Sequence, residues 1–144
     1  MPAKTTRSST MPIVAVVDDD EAVREALYDL LLVLGFACRT FDRAEAFMAE
    51  YVPHRFDCLI TDVSMPGRSG LELQERLREL GSSMPVVIIT ADTSPATRAR
   101  AMSGGALACL TKPVKDDVLL HHLRSALGQS ASSRDDLRDT PSDE

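Results

Sequence analysis

The sequence predicts a single α/β domain with a five-stranded parallel sheet and helices on both of its faces. Its 144 residues and 44% hydrophobic content fit one globular unit. Short apolar runs rich in β-branched residues alternate with segments of helical periodicity, five of each. Strict alternation of this kind requires right-handed crossovers, which place the strands parallel and cover the sheet on both sides.

The five predicted strands differ in how apolar they are. Ile13–Val17 and Pro85–Ile89 are continuous apolar runs, as expected of strands buried on both faces. Cys58–Thr61 and Ala108–Leu110 are shorter versions of the same pattern, and Ala37–Phe41 is the most polar, so we expect it to be the most exposed strand.

The predicted helices are marked by their apolar spacing and by glycines at their ends. Apolar residues recur every three or four positions from Ala22 to Leu34, and Gly35 follows where a helix C-terminus favours glycine. The other predicted helices are Ala44–Glu50, Leu71–Leu80 before Gly81, Pro95–Ser103, and Val114–Leu127 before Gly128.

Both ends of the chain have the composition of disordered segments. Residues 1–11 are small and polar, and residues 129–144 hold five acids, two arginines, four serines and one leucine. Such segments cannot bury enough apolar surface to fold. We therefore expect the folded domain to span residues 12–128, preceded by a disordered segment and followed by a disordered acidic tail or linker.

Charge and residue usage exclude several classes of function. The 16 basic and 22 acidic residues give a net charge of −6, which disfavours direct binding to nucleic acid or to an anionic membrane. All six aromatic residues precede residue 57, which disfavours a stacking site in the second half. No run is long enough for a signal peptide or a membrane span, so a cytoplasmic location is expected. Cys38, Cys58 and Cys109 are too scattered for a disulfide framework or a zinc site, and we expect buried, reduced thiols.

Chemically active side chains fall where four of the predicted strands end. The first strand is followed by Asp18, Asp19 and Asp20, and the third by Asp62. Thr90 follows the fourth strand and Lys112 the fifth. The carboxyl ends of parallel strands meet at one sheet edge, where ligands bind in open α/β folds. Each residue alone has a structural explanation, and Asp20 fits best as the cap of the first helix, but together they predict one site.

The predicted clustering of Asp18, Asp19 and Asp62 requires a compensating charge. Carboxylates about 5 Å apart repel by about 3 kcal/mol per pair at an effective dielectric of about 20. An all-oxygen cluster matches a hard cation such as Mg²⁺, and the Lys112 ammonium adds a further positive charge. With the repulsion offset, an oxygen of Asp62 would be free to accept a phosphoryl group, whose oxygens Lys112 and Thr90 would contact.

Four segments in order resemble the signature stretches of bacterial response-regulator receiver domains. They are VVDDD (Val16 to Asp20), LITDVSMPGRSG (Leu59 to Gly70), VVIITAD (Val86 to Asp92) and TKP (Thr111 to Pro113). The resemblance covers about Ile13 to Leu127 and is closest to receivers found in front of LuxR-type DNA-binding domains. It implies a flavodoxin-like fold with strand order 2-1-3-4-5.

The resemblance also implies a role for each residue at the sheet edge. Asp62 would be the phosphoacceptor, and Mg²⁺ would be held by Asp18, Asp19, Asp62 and the backbone carbonyl of Ser64. Thr90 would be the switch hydroxyl and Lys112 would pair with the phosphoryl oxygens. The Lys112–Pro113 bond is cis in this family. Ser64 and Asp92 occupy positions at which the family varies its rate of self-dephosphorylation.

One position departs from the family pattern. Receivers usually carry Tyr or Phe three residues before the lysine, and its ring swings inward as the threonine moves. Here that residue is Cys109. Either the signal passes through backbone movement after Thr90, or the output surface is used differently.

These observations predict a phosphorylatable receiver of a two-component system rather than an enzyme, with at most self-phosphorylation and self-dephosphorylation. The phosphoryl donor would be a sensor histidine kinase. The output face would be the fourth helix, fifth strand and fifth helix, which would contact an output protein or a missing output domain and could also form a homodimer. The chain would be a single-domain regulator or a fragment. The alternatives are a receiver-like interaction module that is never phosphorylated, and a phosphatase of the haloacid-dehalogenase type, which places its nucleophile on the first strand.

Overall fold

The computed structural model describes residues 11–65, 67 and 69–128 and contains five strands and five α-helices in alternation. The strands are β1 (Ile13–Val17), β2 (Ala37–Phe41), β3 (Cys58–Asp62), β4 (Val86–Thr90) and β5 (Ala108–Thr111). The helices are α1 (Glu21–Val33), α2 (Ala44–Glu50), α3 (Gly70–Glu79), α4 (Pro95–Ser103) and α5 (Asp116–Leu123), and α5 continues into a π-helical turn at Arg124–Gly128. The predicted terminal segments 1–11 and 129–144 lie almost entirely outside the described residues.

The five strands form one parallel sheet in the order β2-β1-β3-β4-β5. This confirms the predicted fold class and strand order. β1, β3 and β4 are central and almost wholly buried, whereas β2 at one edge is the most exposed strand, as its polar composition predicted. Because all strands run the same way, their carboxyl ends lie along one edge of the sheet.

Two apolar cores lie on the two faces of the sheet. The first is formed with α2, α3 and α4 and includes Phe41, Phe47, Leu73 and Ile88. The second is formed with α1 and α5 and includes Leu27, Leu31, Val16 and Leu123. The helices therefore cover both faces, as a parallel sheet with buried central strands requires.

Side chains at helix N-termini explain where several helices begin. Asp20 accepts hydrogen bonds from the backbone amides of Ala22 and Val23, so it caps α1 as the sequence predicted. Ser69 and Glu72 form a capping box at the start of α3. Ser94 caps α4 and is followed by Pro95, which suits the first helical position because its missing amide has no partner there.

The last helix differs from the prediction at both ends. It was expected over Val114–Leu127, but α5 begins at Asp116, after an extended Lys115. The cis Lys112–Pro113 bond turns the chain just before this point, and two acids in the first turn favour a helix start there. Residues from Arg124 onward follow a π-helical path. No helix among the described residues is long and apolar enough to cross a membrane.

Candidate functional site

Three carboxylates meet at the carboxyl edge of the sheet. Asp18 and Asp19 follow β1, and Asp62 is the last residue of β3, the strand beside β1. One oxygen from each lies within 4.8 Å of the other two. Asp18 and Asp62 are buried, whereas Asp19 is exposed. At this spacing the pairs repel by about 3 kcal/mol each at an effective dielectric of about 20, so the cluster needs a cation.

Asp18 is held by the backbone and side chains of neighbouring elements. Its Oδ1 accepts a hydrogen bond from the amide of Asp20 at 2.9 Å. Its carbonyl oxygen accepts one from Arg24 Nη1 at 2.8 Å, and its amide donates to the carbonyl of Phe41 at 3.1 Å. Sequence reasoning did not single out Arg24, although its position one turn into the helix after three acids was a signal. The first bond orients the buried carboxylate, and the other two hold the backbone that carries it.

Lys112 connects two of the three carboxylates. Its Nζ lies 2.9 Å from Asp18 Oδ2 and 3.2 Å from Asp62 Oδ2. Its amide donates to the carbonyl of Thr90 at 2.8 Å, which ties the end of β5 to the end of β4. The Lys112–Pro113 peptide is cis, as the family resemblance implied.

The charges at this edge shift two pKa values. Burial, followed by the charge of Asp18, raises the pKa of Asp62, and Lys112 and the backbone amide of Ser64 oppose that rise. Burial lowers the pKa of Lys112, but its contacts with Asp18 and Asp62 outweigh burial and hold this pKa above its ordinary value. The ammonium group is therefore charged at neutral pH, and it favours the ionised form of Asp62.

Thr90 is buried at the end of β4, and its hydroxyl is connected to α4. Its Oγ1 accepts a hydrogen bond from the amide of Asp92 at 2.9 Å. The Asp92 carboxylate accepts from the Ser94 amide at 2.8 Å and from Thr97 Oγ1 at 2.7 Å. These bonds lower the pKa of Asp92. A continuous set of hydrogen bonds thus runs from the Thr90 hydroxyl to the first turn of α4.

Gly70, the first residue of α3, lies against the backbone of Asp62. A Cβ atom added to Gly70 would be 2.0 Å from the Asp62 carbonyl oxygen, and the Gly70 amide donates to the carbonyl of Val63 at 3.0 Å. Only glycine allows this approach. α3 is therefore fixed directly to the strand end that carries Asp62.

The remaining predicted residues lie near this edge or in the core. Ser64 is exposed two residues after Asp62. Cys109 is buried in β5 on the face covered by α4. Cys38, Cys58 and Cys109 are free thiols, although Cys38 is only partly buried. Burial raises the pKa of Cys38 and of Cys58 to about 12, so both stay protonated at neutral pH.

The donor set fits a hard divalent cation. All three groups offer carboxylate oxygens, the chemistry that Mg²⁺ prefers. Asp18 Oδ2 is buried and accepts no hydrogen bond of good geometry, so its only polar contact in the described part of the chain is the Lys112 ammonium. A buried carboxylate oxygen without a hydrogen bond is costly unless a cation is near. The residues are therefore suited to holding Mg²⁺.

Comparison with known proteins identifies one family over most of the chain. The family model described as "Response regulator receiver domain" matches residues 14–124. FixJ, a transcriptional regulatory protein of Azorhizobium caulinodans, is 42% identical over 118 residues, which are 82% of this chain and 56% of FixJ. The response regulator TmoT of Ectopseudomonas mendocina is 37% identical over 115 residues, 80% of this chain and 52% of TmoT. The chain spans about half the length of the curated relatives it matches.

One solved structure matches the fold of this chain over the full length of the solved protein. The chemotaxis response regulator CheY4 of Vibrio cholerae superposes with a TM-score of 0.74 at 30% identity. The match covers 82% of this chain and 100% of CheY4.

Proposed function

The chain belongs to the response regulator receiver domain family of two-component systems, and we propose that it accepts a phosphoryl group on Asp62 and converts this event into a changed surface around α4. The observation that carries the proposal is the bridge from Lys112 to both Asp18 and Asp62, with Asp19 beside them. The repulsion among the three carboxylates is costly unless positive charge offsets it. A bound cation together with Lys112 would supply that charge and would also attract the oxygens of a phosphoryl group.

Asp18, Asp19 and Asp62 would hold Mg²⁺, and the carbonyl of Ser64 would complete the protein ligands. The metal, when bound, neutralises charge on the phosphoryl oxygens during transfer. The Asp20 amide holds the Asp18 carboxylate and Arg24 holds its backbone carbonyl, so this ligand would be preorganised for the cation. Preorganisation of this kind lowers the cost of binding.

The transfer step forms one bond and breaks one bond. An ionised Asp62 oxygen attacks phosphorus, an O–P bond forms, and the bond to the donor nitrogen of a phosphohistidine breaks with its electron pair leaving on the imidazole. Lys112 helps in two ways. Its charge favours the ionised form of Asp62, and its ammonium then pairs with a phosphoryl oxygen. Thr90 donates its hydroxyl hydrogen to another phosphoryl oxygen while its Oγ1 still accepts from Asp92.

The two alternative functions are not favoured. A phosphatase of the haloacid-dehalogenase type has its nucleophile on the first strand, whereas here the adjacent acidic pair follows β1 and the single acid ends β3. A receiver-like module without phosphorylation would have no need to hold three carboxylates within 4.8 Å of one another beside a lysine.

The partners of the chain are also part of the proposal. We propose that the chain acts in the cytoplasm with a sensor histidine kinase as phosphoryl donor, and that an output protein or output domain recognises the face formed by α4, β5 and α5. FixJ is named as a transcriptional regulatory protein, which supports an output of that kind. A homodimer through the same face, and self-dephosphorylation at a rate set in part by Ser64 and Asp92, complete the proposal.

Intact-protein mass spectrometry after incubation with Mg²⁺ and acetyl phosphate tests this function. We expect the native chain to gain one phosphoryl group, and expect the gain to fall strongly when a chelator removes Mg²⁺. Asp62→Asn should gain none. Asp29→Asn, the same chemical change at an exposed position of α1, should behave as the native chain. Equal labelling of Asp62→Asn and the native chain would refute the proposal.

A further inference from the structure

Gln74 on α3 is a buried polar side chain that the proposed site does not use. It is 4% exposed. The other buried polar or charged residues in the described part of the chain are Asp18, Thr61, Asp62 and Thr90, all at or next to the carboxyl edge of the sheet. A buried amide is costly unless its donors and acceptors are bonded. The hydrogen-bond partners of the Gln74 amide therefore indicate its role.

The Gln74 amide bonds to α4 across the gap between two helices. Its Nε2 donates to the carbonyl oxygen of Ala101 at 2.9 Å. Ala101 is the only residue of α4 that is buried. The same carbonyl also accepts from the Ala106 amide at 3.1 Å, so it keeps one partner if Gln74 is changed.

Gly104 provides the space that the Gln74 amide occupies. A Cβ atom added to Gly104 would lie 2.8 Å from Gln74 Oε1. The backbone of Gly104, at φ −78° and ψ 0°, is one that any residue adopts. The glycine is therefore not required by its conformation, and the contact with Gln74 is what excludes a larger residue.

Apolar packing between α3 and α4 is sparse around this contact. An open cleft of about 320 Å³ lies between the helices, lined by residues that include Leu71, Arg78 and Arg100. α4 thus meets α3 across a cleft and buries only Ala101. The hydrogen bond from Gln74 therefore contributes more to the position of α4 than it would if α4 were tightly packed.

The N-terminal residue of α3 contacts the predicted phosphoacceptor. Gly70 lies against the Asp62 carbonyl, and Gln74 is one helical turn further along the same helix. A rigid helix therefore connects the backbone of Asp62 to the C-terminal turn of α4. Thr90 and Asp92 connect the site to the other end of α4.

We propose that Gln74 is a latch that holds α4 in its unphosphorylated position, and that phosphorylation of Asp62 releases it. The release rests on the proposed function, whereas the holding contact does not. Since a single hydrogen bond of this kind shifts an equilibrium by about fivefold, the latch is weak enough to be broken by ligand binding.

Hydrogen exchange of the α4 amides tests the holding contact. Gln74→Met keeps a side chain of similar length and removes the hydrogen bond to Ala101. We expect exchange in residues 97–103 of the unphosphorylated protein to rise about fivefold. Glu75→Gln changes an exposed residue at the rim of the same cleft and should change exchange less than twofold. Equal rates in Gln74→Met and the native chain would overturn the proposal.

Beryllium fluoride with Mg²⁺, a phosphoryl mimic, tests the release. In the native chain it should raise α4 exchange to about the level of Gln74→Met, and in Gln74→Met it should add less than twofold. An equal further rise in both proteins would show that the latch does not take part in switching. If the native chain neither responds to the mimic nor gains a phosphoryl group, the proposed function and the release fail together, while the holding contact is still decided by the basal rates.

A double-substitution cycle tests whether Gly104 acts through Gln74. Gly104→Ala alone should raise α4 exchange about as much as Gln74→Met, because the new methyl group displaces the amide. In a Gln74→Ala background there is no amide to displace, so Gly104→Ala should add less than twofold. Equal effects of Gly104→Ala in both backgrounds would contradict the proposed contact.

Discussion

The core on the sheet face covered by α2, α3 and α4 is built differently at its two ends. On one side Phe41, Phe47 and Phe56 form an aromatic cluster with ring centroids 5.3 to 6.0 Å apart, two of the three contacts edge-to-face. On the other side α4 buries only Ala101 and is positioned by polar contacts at both of its ends. The aromatic cluster lies beside β1 and β2, and α4 lies beside β5.

We propose that this difference separates the part of the core that gives stability from the part that switches. Aromatic side chains bury large areas, and their cluster forms a part of the core that resists opening. A helix that buries one alanine gains little from packing, so a few hydrogen bonds decide its position. The region around α4, which we propose changes on phosphorylation, lies in the part of the chain after Phe56 that has no aromatic residues.

Phe47→Ala should have the largest effect on stability. The ring is 0% exposed and contacts Phe41, Phe56 and Tyr51. Its removal should lower the free energy of unfolding by about 4 kcal/mol in urea titrations. Met102→Ala on α4, where the side chain is 44% exposed, should cost less than about 0.5 kcal/mol. Similar losses for the two variants would remove the distinction between the regions.

Lys112→Met should have the second-largest effect on stability, because it removes a charge rather than packing. Without the ammonium, Asp18 and Asp62 lie buried together, and the cost should be about 2 kcal/mol at pH 7, below that of a fully buried pair because Lys112 is 20% exposed. Loss of Lys112 raises the pKa of Asp62 further. The deficit should therefore shrink as pH falls and the carboxylates protonate. Urea unfolding at several pH values measures this, and a deficit independent of pH would indicate a packing defect instead.

Cys109→Phe asks whether the α4 side can accept an aromatic ring. Cys109 is 4% exposed in the same core as Ala101, so a ring inserted there overpacks the site. We expect a loss of about 2 kcal/mol and faster exchange in α4 with little change in α2. Cys109→Ser, which changes chemistry at almost constant size, should leave α4 in place. A gain in stability for Cys109→Phe would mean that this region is open and not merely lightly packed.

Asp92→Ala should have the smallest effect, confined to the first turn of α4. The bonds from Ser94 and Thr97 hold the pKa of Asp92 below its ordinary value. Its contribution is therefore present above the ordinary pKa of about 4 and is lost as pH falls below that value. After correction for intrinsic rates, exchange near Thr97 in the native chain should be constant above about pH 4 and should rise as pH falls below about 4. Asp92→Asn should lack this dependence, and its persistence in that variant would assign the effect to another group.

The sequence predicted the fold and the residues of the site because both follow from periodic and positional rules. Buried parallel strands must be apolar throughout, and strand ends of a parallel sheet must share an edge, so the grouping of Asp18, Asp62 and Lys112 could be expected. Asp20 was correctly predicted as a helix cap. The start of α5 was placed two residues early, because apolar spacing does not reveal where an extended Lys115 delays the helix.

Contacts that depend on the distance between helices could not be predicted. Gln74 occupies a position between Leu73 and Leu77 of an amphipathic helix, and a polar residue at an apolar position was its only signal. Its partner Ala101 is 27 residues away, so the pairing required the fold. The close approach of Gly70 to Asp62 likewise depends on the path of the chain between them.

The most direct test of this account is residue-resolved hydrogen exchange of the native chain with and without Mg²⁺ and acetyl phosphate. We predict faster exchange in α4, no change in β2 and α2 around Phe41 and Phe47, and no response anywhere in Asp62→Asn. A response centred on the aromatic cluster, or an equal response in Asp62→Asn, would contradict the claim that phosphorylation of Asp62 is read out through α4.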